Sequence, residues 1–551
     1  MKAVDLFAGA GGFSLGLMRA GFDVVLANEF STEPEWSYRA NLLRDVPEGV
    51  FPERPESASN GARRRYRALV REQINKERES LLEDYDRHMR GGDIAVVLPD
   101  HWLREWTRRR GEVDVVVGGP PCQGFSSAGA RDPQDVRNQL PDQAIRVIRQ
   151  LKPKIAIIEN VPGMLNRFSD RVLEVGMALA EPVDGVPGYH VVAELVHGEL
   201  LGVPQTRRRL LLIAVREDLI TEKALDRLHP LLFPTGCPSR RLGCTEEGPW
   251  VEHGSTMVAS DILGDLARSP EPYGRKGTTW LQGYRTERPT CPYQREMRAL
   301  RHEYLTGAFG GPGFEDRYAN HDASVHDELV AERMRLLRQA AQDSDEGRSN
   351  RCASGWLRQQ FMGKHPHLKT NKASQRVLLA DAWPNLTVTS LPDDIVHFEE
   401  DRIPTVREVA RLQTFPDWFE FKGVRTSGAE RRRAGIFVPH YTQVANAVPP
   451  RLAHAAASRV QWFLEQVDAG GLRDCDFALP GGDYKSPNRG TSAEQLDALN
   501  RSFREASARL VRGSSRAEVE ERASSAERAT RPAVARPEVK HSPVEGAGAV
   551  G

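Results

Sequence analysis

Residues 3–17 read AVDLFAGAGGFSLGL, in which a short apolar run leads into a glycine-rich turn and then into a helical pattern. The run Ala3–Phe7 predicts a buried strand, and the glycines after it allow a tight turn and close approach of a ligand to the backbone. A strand, a glycine turn and a helix in this order are typical of the first unit of a ligand-binding α/β sheet. The segment therefore predicts a ligand site at the end of the first strand.

The alternation of strand and helix patterns continues over residues 1–215. Helical stretches such as FSLGLMRA and DQAIRVIRQL separate short apolar runs. This alternation predicts an α/β fold with a mostly parallel sheet. Besides the first run, the predicted strands are Val24–Ala27, Val113–Val117, Ile155–Glu159, Val191–Leu195 and Leu210–Val215.

Changes in composition divide the chain into four parts. We expect residues 1–215 to form the first domain, with a charged, helical insertion over about 44–92 at the edge of the sheet. The periodicity weakens over 216–380, which predicts a smaller, irregular second domain. Regular patterns return over 381–467 and are expected to complete the first domain. We expect 468–551 to be a disordered tail, because its few large apolar residues bury too little surface to offset the ordering entropy.

The composition of the whole chain limits its class. Its 551 residues include 76 Lys and Arg and 76 Asp and Glu, so the net charge gives no global attraction to nucleic acid. The six cysteines form no C-x-x-C pair, and no run of apolar residues is long enough to cross a membrane. These features predict a cytoplasmic protein with reduced thiols and no membrane association. Because the spacing of Cys237, Cys244, Cys291 and Cys352 fits no common zinc site, we expect no metal.

The residues around the glycine turn indicate the kind of ligand. Counted from Gly9, the third glycine of a dinucleotide fingerprint is replaced by Ser14, which leaves a nicotinamide oxidoreductase as a distant alternative. Glu29 closes the second strand, where its carboxylate can hold both hydroxyls of a ribose. Phe30 can stack on an adenine, and Asp93 can accept a bond from the adenine amino group. The set favours a binding site for an adenosyl ligand without phosphates. The alternative is a glycine turn that happens to have acidic residues on the surface nearby.

A second strand end carries a candidate nucleophile. Residues 115–126 read VVVGGPPCQGFS, so a buried strand stops at a rigid turn that presents Cys122. Pro120 and Pro121 fix the turn without a ligand, and a cysteine thiolate is a good nucleophile. The alternative is a small core residue, which is the commoner role of a lone cysteine at a strand end.

Charged side chains mark two further strands. Glu159 ends the strand of KIAIIEN at the edge expected to hold Cys122, where burial would raise its pKa and suit it to donate a proton. A carboxylate that only caps the next turn is the alternative. In QTRRR, Arg207 and Arg209 alternate and should point to the same side, where two guanidiniums can bind a phosphate or a carbonyl oxygen. Arg208 should face the other way.

Eight motifs taken in order resemble one family, the DNA (cytosine-5)-methyltransferases. The resemblance covers about 1–215 and 380–465 and implies a Rossmann-like methyltransferase sheet of seven strands that binds S-adenosylmethionine. It also implies a target-recognition domain within 216–380. The motifs are DLFAGAGGFSLG, NEF, GGDI, GGPPCQGFS, ENV, QTRRR, RIPTVREVARLQTFPDWF and QVANAVPP.

The resemblance also assigns roles to single residues. Cys122 matches the nucleophile, Glu159 the glutamate of ENV, and Arg207 and Arg209 the arginines that contact a flipped cytosine. The last motif of the family has glycine where this chain has Ala445. The positions that match cofactor-binding residues are Phe7, Ala8, Gly9, Gly11, Gly12, Glu29, Phe30, Asp93, Pro120 and Asn446.

Together these residues predict a methyl transfer to C5 of a cytosine flipped out of double-stranded DNA, through a covalent bond between Cys122 and C6. We further expect a monomeric, prokaryotic type of enzyme, which is either solitary or part of a restriction-modification system with a restriction endonuclease as its functional partner. An RNA cytosine-5 methyltransferase of the same architecture and a catalytically inactive DNA-binding relative are the alternatives. The DNA target sequence cannot be predicted, because the residues that would select it lie within 216–380, where the sequence shows no regular pattern.

Overall fold

A seven-stranded sheet forms the centre of the computed structural model. The structure describes residues 1–43, 84–121, 139–183, 185–225, 227–233, 257–268, 281–309, 313–324, 326–343, 367, 375–423, 425, 438–470 and 486–530. All six predicted strands are present, together with one that was not predicted, β3. The strands are β1 (Lys2–Leu6), β2 (Asp23–Glu29), β3 (Met89–Gly91), β4 (Val115–Gly118), β5 (Ile155–Asn160), β6 (Tyr189–His197) and β7 (Arg208–Arg216).

The order of the strands is β3-β2-β1-β4-β5-β7-β6. Strands β1 to β5 pair in parallel, whereas β7 is antiparallel to both of its neighbours, β5 and β6. Six strands therefore run in one direction and one is reversed, which confirms the prediction of a mostly parallel α/β sheet. Because β7 is reversed, its first residues lie at the same edge as the last residues of β5.

Helices cover both faces of this sheet and build a second unit beside it, which comprises the described residues between 257 and 425. The helices are α1 (Gly12–Arg19), α2 (Thr32–Tyr38), α3 (Ile94–Val97), α4 (Asp100–Arg110), α5 (Leu140–Leu151), α6 (Pro162–Arg167), α7 (Ser169–Ala180), α8 (Glu222–Leu225), α9 (Leu228–Leu232), α10 (Ala259–Leu263), α11 (Pro292–Met297), α12 (Arg301–Thr306), α13 (Glu328–Asp343), α14 (Val406–Leu412), α15 (His440–Asn446), α16 (Pro450–Asp468) and α17 (Thr491–Thr530).

The two faces of the sheet have separate apolar cores. Helices α3 to α7 and α17 pack on one face, and α1, α8, α9 and α16 pack on the other. The alternation of side chains along each strand divides them between these two cores. In β5, for example, Ala156 and Ile158 face the first core, whereas Ile155 and Ile157 face the second.

The second unit has little sheet and is held by buried charges. Its strands are two residues long and form two separate pairs: β8 (Leu281–Gln282) with β9 (Arg317–Tyr318), and β10 (Arg376–Val377) with β11 (Ile395–Val396). Arg411 of α14 is fully buried between Asp265 and Asp417, and its Nη2 lies 2.6 Å from Asp417 Oδ2. Helix α14, assigned by the sequence to the first domain, therefore packs with α10 of the second unit.

A buried cluster of charges joins the second unit to the main sheet. Glu296 of α11 accepts a hydrogen bond of 2.6 Å from Arg19 Nη1 at the end of α1. Its other oxygen accepts one of 3.1 Å from Arg451 Nε of α16. All three side chains are less than a tenth exposed. Because breaking a buried, hydrogen-bonded ion pair is costly, this contact holds the second unit against α1 and α16.

The insertion differs from its prediction at its end. Residues 44–83, where the amphipathic helix is expected, lie outside the described part of the chain. Residues 89–91 are not helical, since they form β3 and pair with β2 at the edge of the sheet. Tyr85 stacks on Trp102 with 5.4 Å between ring centroids, which anchors the segment that leads into β3.

The prediction of a disordered tail is wrong for residues 486–511. Leu496, Leu499 and Phe503 of α17 are buried in the core on the side of α7. The side chain of Asn500 accepts a hydrogen bond of 2.8 Å from Ala193 N and donates one of 2.9 Å to Ala193 O. A few apolar residues at helical spacing therefore suffice here, because they cover β6 at the edge of the sheet.

Within the described residues, no helix combines the length and the apolar content that crossing a membrane requires. In the same part of the chain, no three His, Cys, Asp or Glu side chains come together as ligands for a metal ion. Cys291 is described and half-buried, whereas Cys237, Cys244 and Cys352 lie outside the described residues.

Phe503→Ala should lower the free energy of unfolding by ~3–5 kcal/mol, because it leaves a cavity between α17 and α7. Arg504→Ala is the matched control, since Arg504 is exposed on the same helix. Urea unfolding followed by circular dichroism measures both variants. Equal stabilities of the two variants would mean that α17 does not belong to the cooperative fold.

Candidate active site

The glycine turn after β1 has the backbone geometry of a ligand site. Gly9 and Gly11 have positive φ angles, and so does Phe7, with φ 57°. A positive φ is unfavourable for a bulky residue, and such strain is concentrated at functional positions. A Cβ on Gly9 would meet no atom within 4 Å, so a ligand can approach its backbone. A Cβ on Gly12 would lie 2.2 Å from Val448 O, so the start of α1 contacts the C-terminal motif closely.

Glu29 closes β2 directly beside this turn. Its carboxylate accepts hydrogen bonds from Gly9 N at 2.9 Å and from Ser31 N at 2.7 Å. Burial raises the pKa of Glu29, and the backbone donors oppose that rise. Phe30 is 66% exposed next to it, so its ring can stack on a ligand. Asp93 follows β3 and caps α3 by accepting from Ala95 N at 3.0 Å.

Ser14, which breaks the dinucleotide pattern, belongs to a buried polar chain. Its hydroxyl donates to Asp5 Oδ2 at 2.6 Å and lies 3.0 Å from Tyr38 Oη. Tyr38 Oη lies 2.9 Å from His88 Nε2. Burial raises the pKa of Asp5 to about 7. This chain of contacts fixes α1 and α2 beneath the glycine turn, a role that the sequence analysis missed.

The end of β4 lies between the glycine turn and Glu159. A Cβ on Gly118 would lie 3.8 Å from Phe7 Cδ2, and a Cβ on Gly119 would lie 3.1 Å from Glu159 Oε2. Pro120 is buried and begins the predicted turn. Cys122 lies two residues further on, outside the described residues, so its predicted position stays a prediction.

Glu159 and Arg209 form an ion pair at this edge. Arg209 Nε lies 2.6 Å from Glu159 Oε1, and each side chain is about a tenth exposed. Burial raises the pKa of Glu159, and the positive charges of Arg209 and Arg207 oppose this rise. The two residues meet because β7 is reversed, which brings its first residues to the carboxyl end of β5.

Arg207 lies at the same edge but makes different contacts. In the described part of the chain its hydrogen bonds go to backbone carbonyls, those of Val388, Ala445 and Ala447. It is 1% exposed, whereas Arg208 is half-buried. Arg207 thus joins the start of β7 to the C-terminal motif, and its predicted contact with a base stays a prediction.

The alanine that departs from the family motif fits without strain. Ala445 lies inside α15, and its φ is negative, so a glycine is not required there. Its carbonyl is one of the acceptors of Arg207. Asn446 is the last residue of α15 and is exposed.

Two buried asparagines were also missed. Asn28 and Asn160 stand next to Glu29 and Glu159 in the sequence, and their amides bond to neighbouring loops. Their position beside the two candidate glutamates was the available signal.

This sheet with one reversed strand, its glycine turn and its strand-end glutamates are features of the α/β methyltransferase fold. The model of the C-5 cytosine-specific DNA methylase family matches residues 1–54 and 66–462. The chain belongs to this family. The predicted family and its class of activity, DNA cytosine methylation, are therefore confirmed.

Similar proteins agree with this family. The chain is 26% identical over 474 residues to the type II methyltransferase M.DdeI of Desulfomicrobium norvegicum, covering 85% of this chain and 90% of that protein. It is 28% identical over 498 residues to M.AgeI of Thalassovita gelatinovora, covering 84% and 99%. A crystal structure described as a prophage-encoded DNA modification methyltransferase of E. coli matches with a TM-score of 0.51 at 20% identity, covering 84% and 99%. That likeness concerns the fold.

Arg207→Lys should lower the free energy of unfolding by ~2–4 kcal/mol, because a lysine cannot reach three buried carbonyls at once and leaves some unpaired. Arg208→Lys is the control, since Arg208 lies at the neighbouring position and is less buried. Urea unfolding gives both values. If Arg207→Lys left the stability unchanged but slowed methyl transfer, the guanidinium would instead be assigned to contact with the base.

Proposed function

We propose that the chain transfers a methyl group from S-adenosylmethionine to C5 of a cytosine that is flipped out of double-stranded DNA. The observation that carries the proposal is the ion pair of Glu159 and Arg209, 2.6 Å apart at the strand end beside the turn that leads to Cys122. A buried acid held by a guanidinium suits the recognition of a ring nitrogen and a carbonyl oxygen on the same base.

The glycine turn and its neighbours suit the cofactor. Open space over Gly9, the carboxylate of Glu29 and the exposed ring of Phe30 fit the backbone approach, the ribose and the adenine of an adenosyl group. Phe7, Ala8, Gly11, Gly12, Asp93, Pro120 and Asn446 complete the set of residues that we assign to S-adenosylmethionine. When bound, the cofactor supplies an electrophilic methyl group.

The residues at the ends of β4 and β5 and at the start of β7 form the base-binding half of the site, and they activate the cytosine. The Cys122 thiolate adds to C6, which gives C5 the electron density that it needs to accept a methyl group. Glu159 holds a proton at ring N3 and Arg209 binds the O2 oxygen, so both stabilise the charge that develops on the ring. C5 then takes the methyl group, with S-adenosylhomocysteine as the leaving group, and transfer of the C5 proton to a base expels the Cys122 thiolate from C6. The base must leave the stack, at a cost of a few kcal/mol.

The relatives named above are type II methyltransferases. We infer that this chain acts as a monomer on one short DNA sequence and forms the methylating half of a restriction-modification pair. The second unit would read that sequence, because it stands beside the site and is anchored to α1 and α16 through Glu296.

Cys122→Ala should abolish methylation, because it removes the thiolate that adds to C6. Cys291→Ala is the control, since this half-buried thiol bonds to Asp261 O in the second unit. Bisulfite sequencing of DNA from cells that express each variant reports both activity and target. Methylation by the Cys122→Ala variant, or scattered methylation by the native chain, would contradict the proposal. So would methyl transfer to tRNA without transfer to DNA.

The proton on Glu159 should make the rate depend on pH. The pKa of Glu159 is raised by burial, so the protonated form is lost as the pH rises through that value, and the rate of methyl transfer should fall. Arg209 lowers this pKa, so Arg209→Met should move the falling limb to higher pH while reducing the maximal rate. Arg208→Met is the control. Single-turnover rates between about pH 6 and 10 test this, and an unshifted limb would exclude Glu159 as its source.

A further inference from the structure

Each strand-end glutamate of the site has a buried asparagine beside it. Asn28 precedes Glu29 at the end of β2, and Asn160 follows Glu159 at the end of β5. The asparagines are 1% and 9% exposed. The chemistry assigned above uses the two glutamates and leaves both amides without a role.

The amide of Asn28 holds the loop after β3. Its Nδ2 donates to Arg90 O at 2.8 Å and to Gly92 O at 3.2 Å. Gly92 has a φ of 117°, and its N–H donates to Glu29 O at 2.8 Å. The loop that presents Asp93 is therefore fixed from the end of β2, beside the glycine turn.

The amide of Asn160 holds the turn after β4. Its Nδ2 donates to Pro120 O at 3.3 Å, and its Oδ1 accepts from Val161 N at 2.9 Å. Prolines have no N–H, so the turn at Pro120 and Pro121 can only accept hydrogen bonds from its surroundings. Asn160 supplies such a donor to the carbonyl of Pro120, which lies two residues before Cys122 in the sequence.

Both contacts have the same physical basis. Where a parallel strand ends, the backbone of the following loop loses its ladder partners, and a buried carbonyl left without a donor is unfavourable. A side-chain amide on the neighbouring strand can replace the missing donor while it fixes the position of the loop. In this sheet Asn28 does so between β2 and β3, and Asn160 does so between β5 and β4.

We propose that Asn28 and Asn160 are positioning residues for the two halves of the site: Asn28 sets the loop that holds the cofactor, and Asn160 sets the turn that carries the nucleophile. This inference rests on the proposed function, because it assigns the loops the roles given above.

The test separates the two halves in the full-length protein. Calorimetry measures the Kd of S-adenosylhomocysteine, and single-turnover methyl transfer at saturating S-adenosylmethionine measures the rate on a DNA duplex that contains the target. Asn28→Ala should raise the Kd by ~10-fold, and Asn160→Ala should slow the transfer by ~10-fold, as expected for the loss of a buried hydrogen bond. Asn28→Ala should change the Kd at least ~5-fold more than it changes the rate, and Asn160→Ala should change the rate at least ~5-fold more than it changes the Kd.

Asn500→Ala is the matched control, because it also removes an amide that bridges a backbone N–H and C=O, on α17 away from the site. It should lower the melting temperature and leave the Kd and the rate unchanged. Asn28→Asp and Asn160→Asp keep the acceptor oxygen and remove the amide donor, so they should repeat the separation if an alanine variant fails to fold.

Equal effects of both substitutions on both readouts, or no effect on either, would overturn the inference. Failure of the proposed function looks different, since the native protein itself would then methylate no DNA. If it methylated RNA instead, the same comparison of variants would be made on that substrate.

Discussion

The reversed direction of β7 is the constraint on which the base-binding half of the site depends. Glu159 and Arg209 are 50 residues apart in the chain, and in an all-parallel sheet the start of β7 would lie at the opposite edge from the end of β5. Antiparallel pairing places Glu159 opposite Leu211, so Arg209 stands two residues beyond Leu211 at the same edge. The charged pair is buried there, which raises the pKa of the acid while the guanidinium keeps it paired.

In the second unit, buried arginines bond to backbone carbonyls that strand pairing would satisfy in the main sheet. Arg411 lies between two aspartates, and Arg407 donates to the carbonyls of Ala319 and Pro416. An irregular backbone leaves carbonyls without ladder partners, and a guanidinium with five N–H donors can satisfy several of them at once. The contacts of Arg411 with Asp265 and of Arg407 with Ala319 join residues that are far apart in sequence, so they leave no periodic pattern. This is why the fold of 216–380 could not be predicted.

The sequence predicted those elements that are determined by residues close together in the chain. Valine runs identified the strands, glycines identified the turn after β1, and strand-end glutamates identified both halves of the site. The residues that were missed act across the fold: Ser14 through Asp5 and Tyr38, and Asn160 through Pro120. Arg207 was found by pattern, but its bonds to three carbonyls depend on where the C-terminal motif returns. A side chain's type can be read from the sequence, whereas its partner depends on the tertiary fold.

The tail connects back to the reversed strand. Strand β6 pairs with β7 along its whole length, and its other edge faces α17 and Asn488, whose amide donates to Leu195 O at 3.0 Å. The family model ends at residue 462, so the cover of this edge comes from residues beyond the matched region. An uncovered edge strand offers unpaired backbone groups to other chains. The segment 486–511 therefore protects the edge of the sheet next to β7, the strand that carries Arg209, without being part of the site.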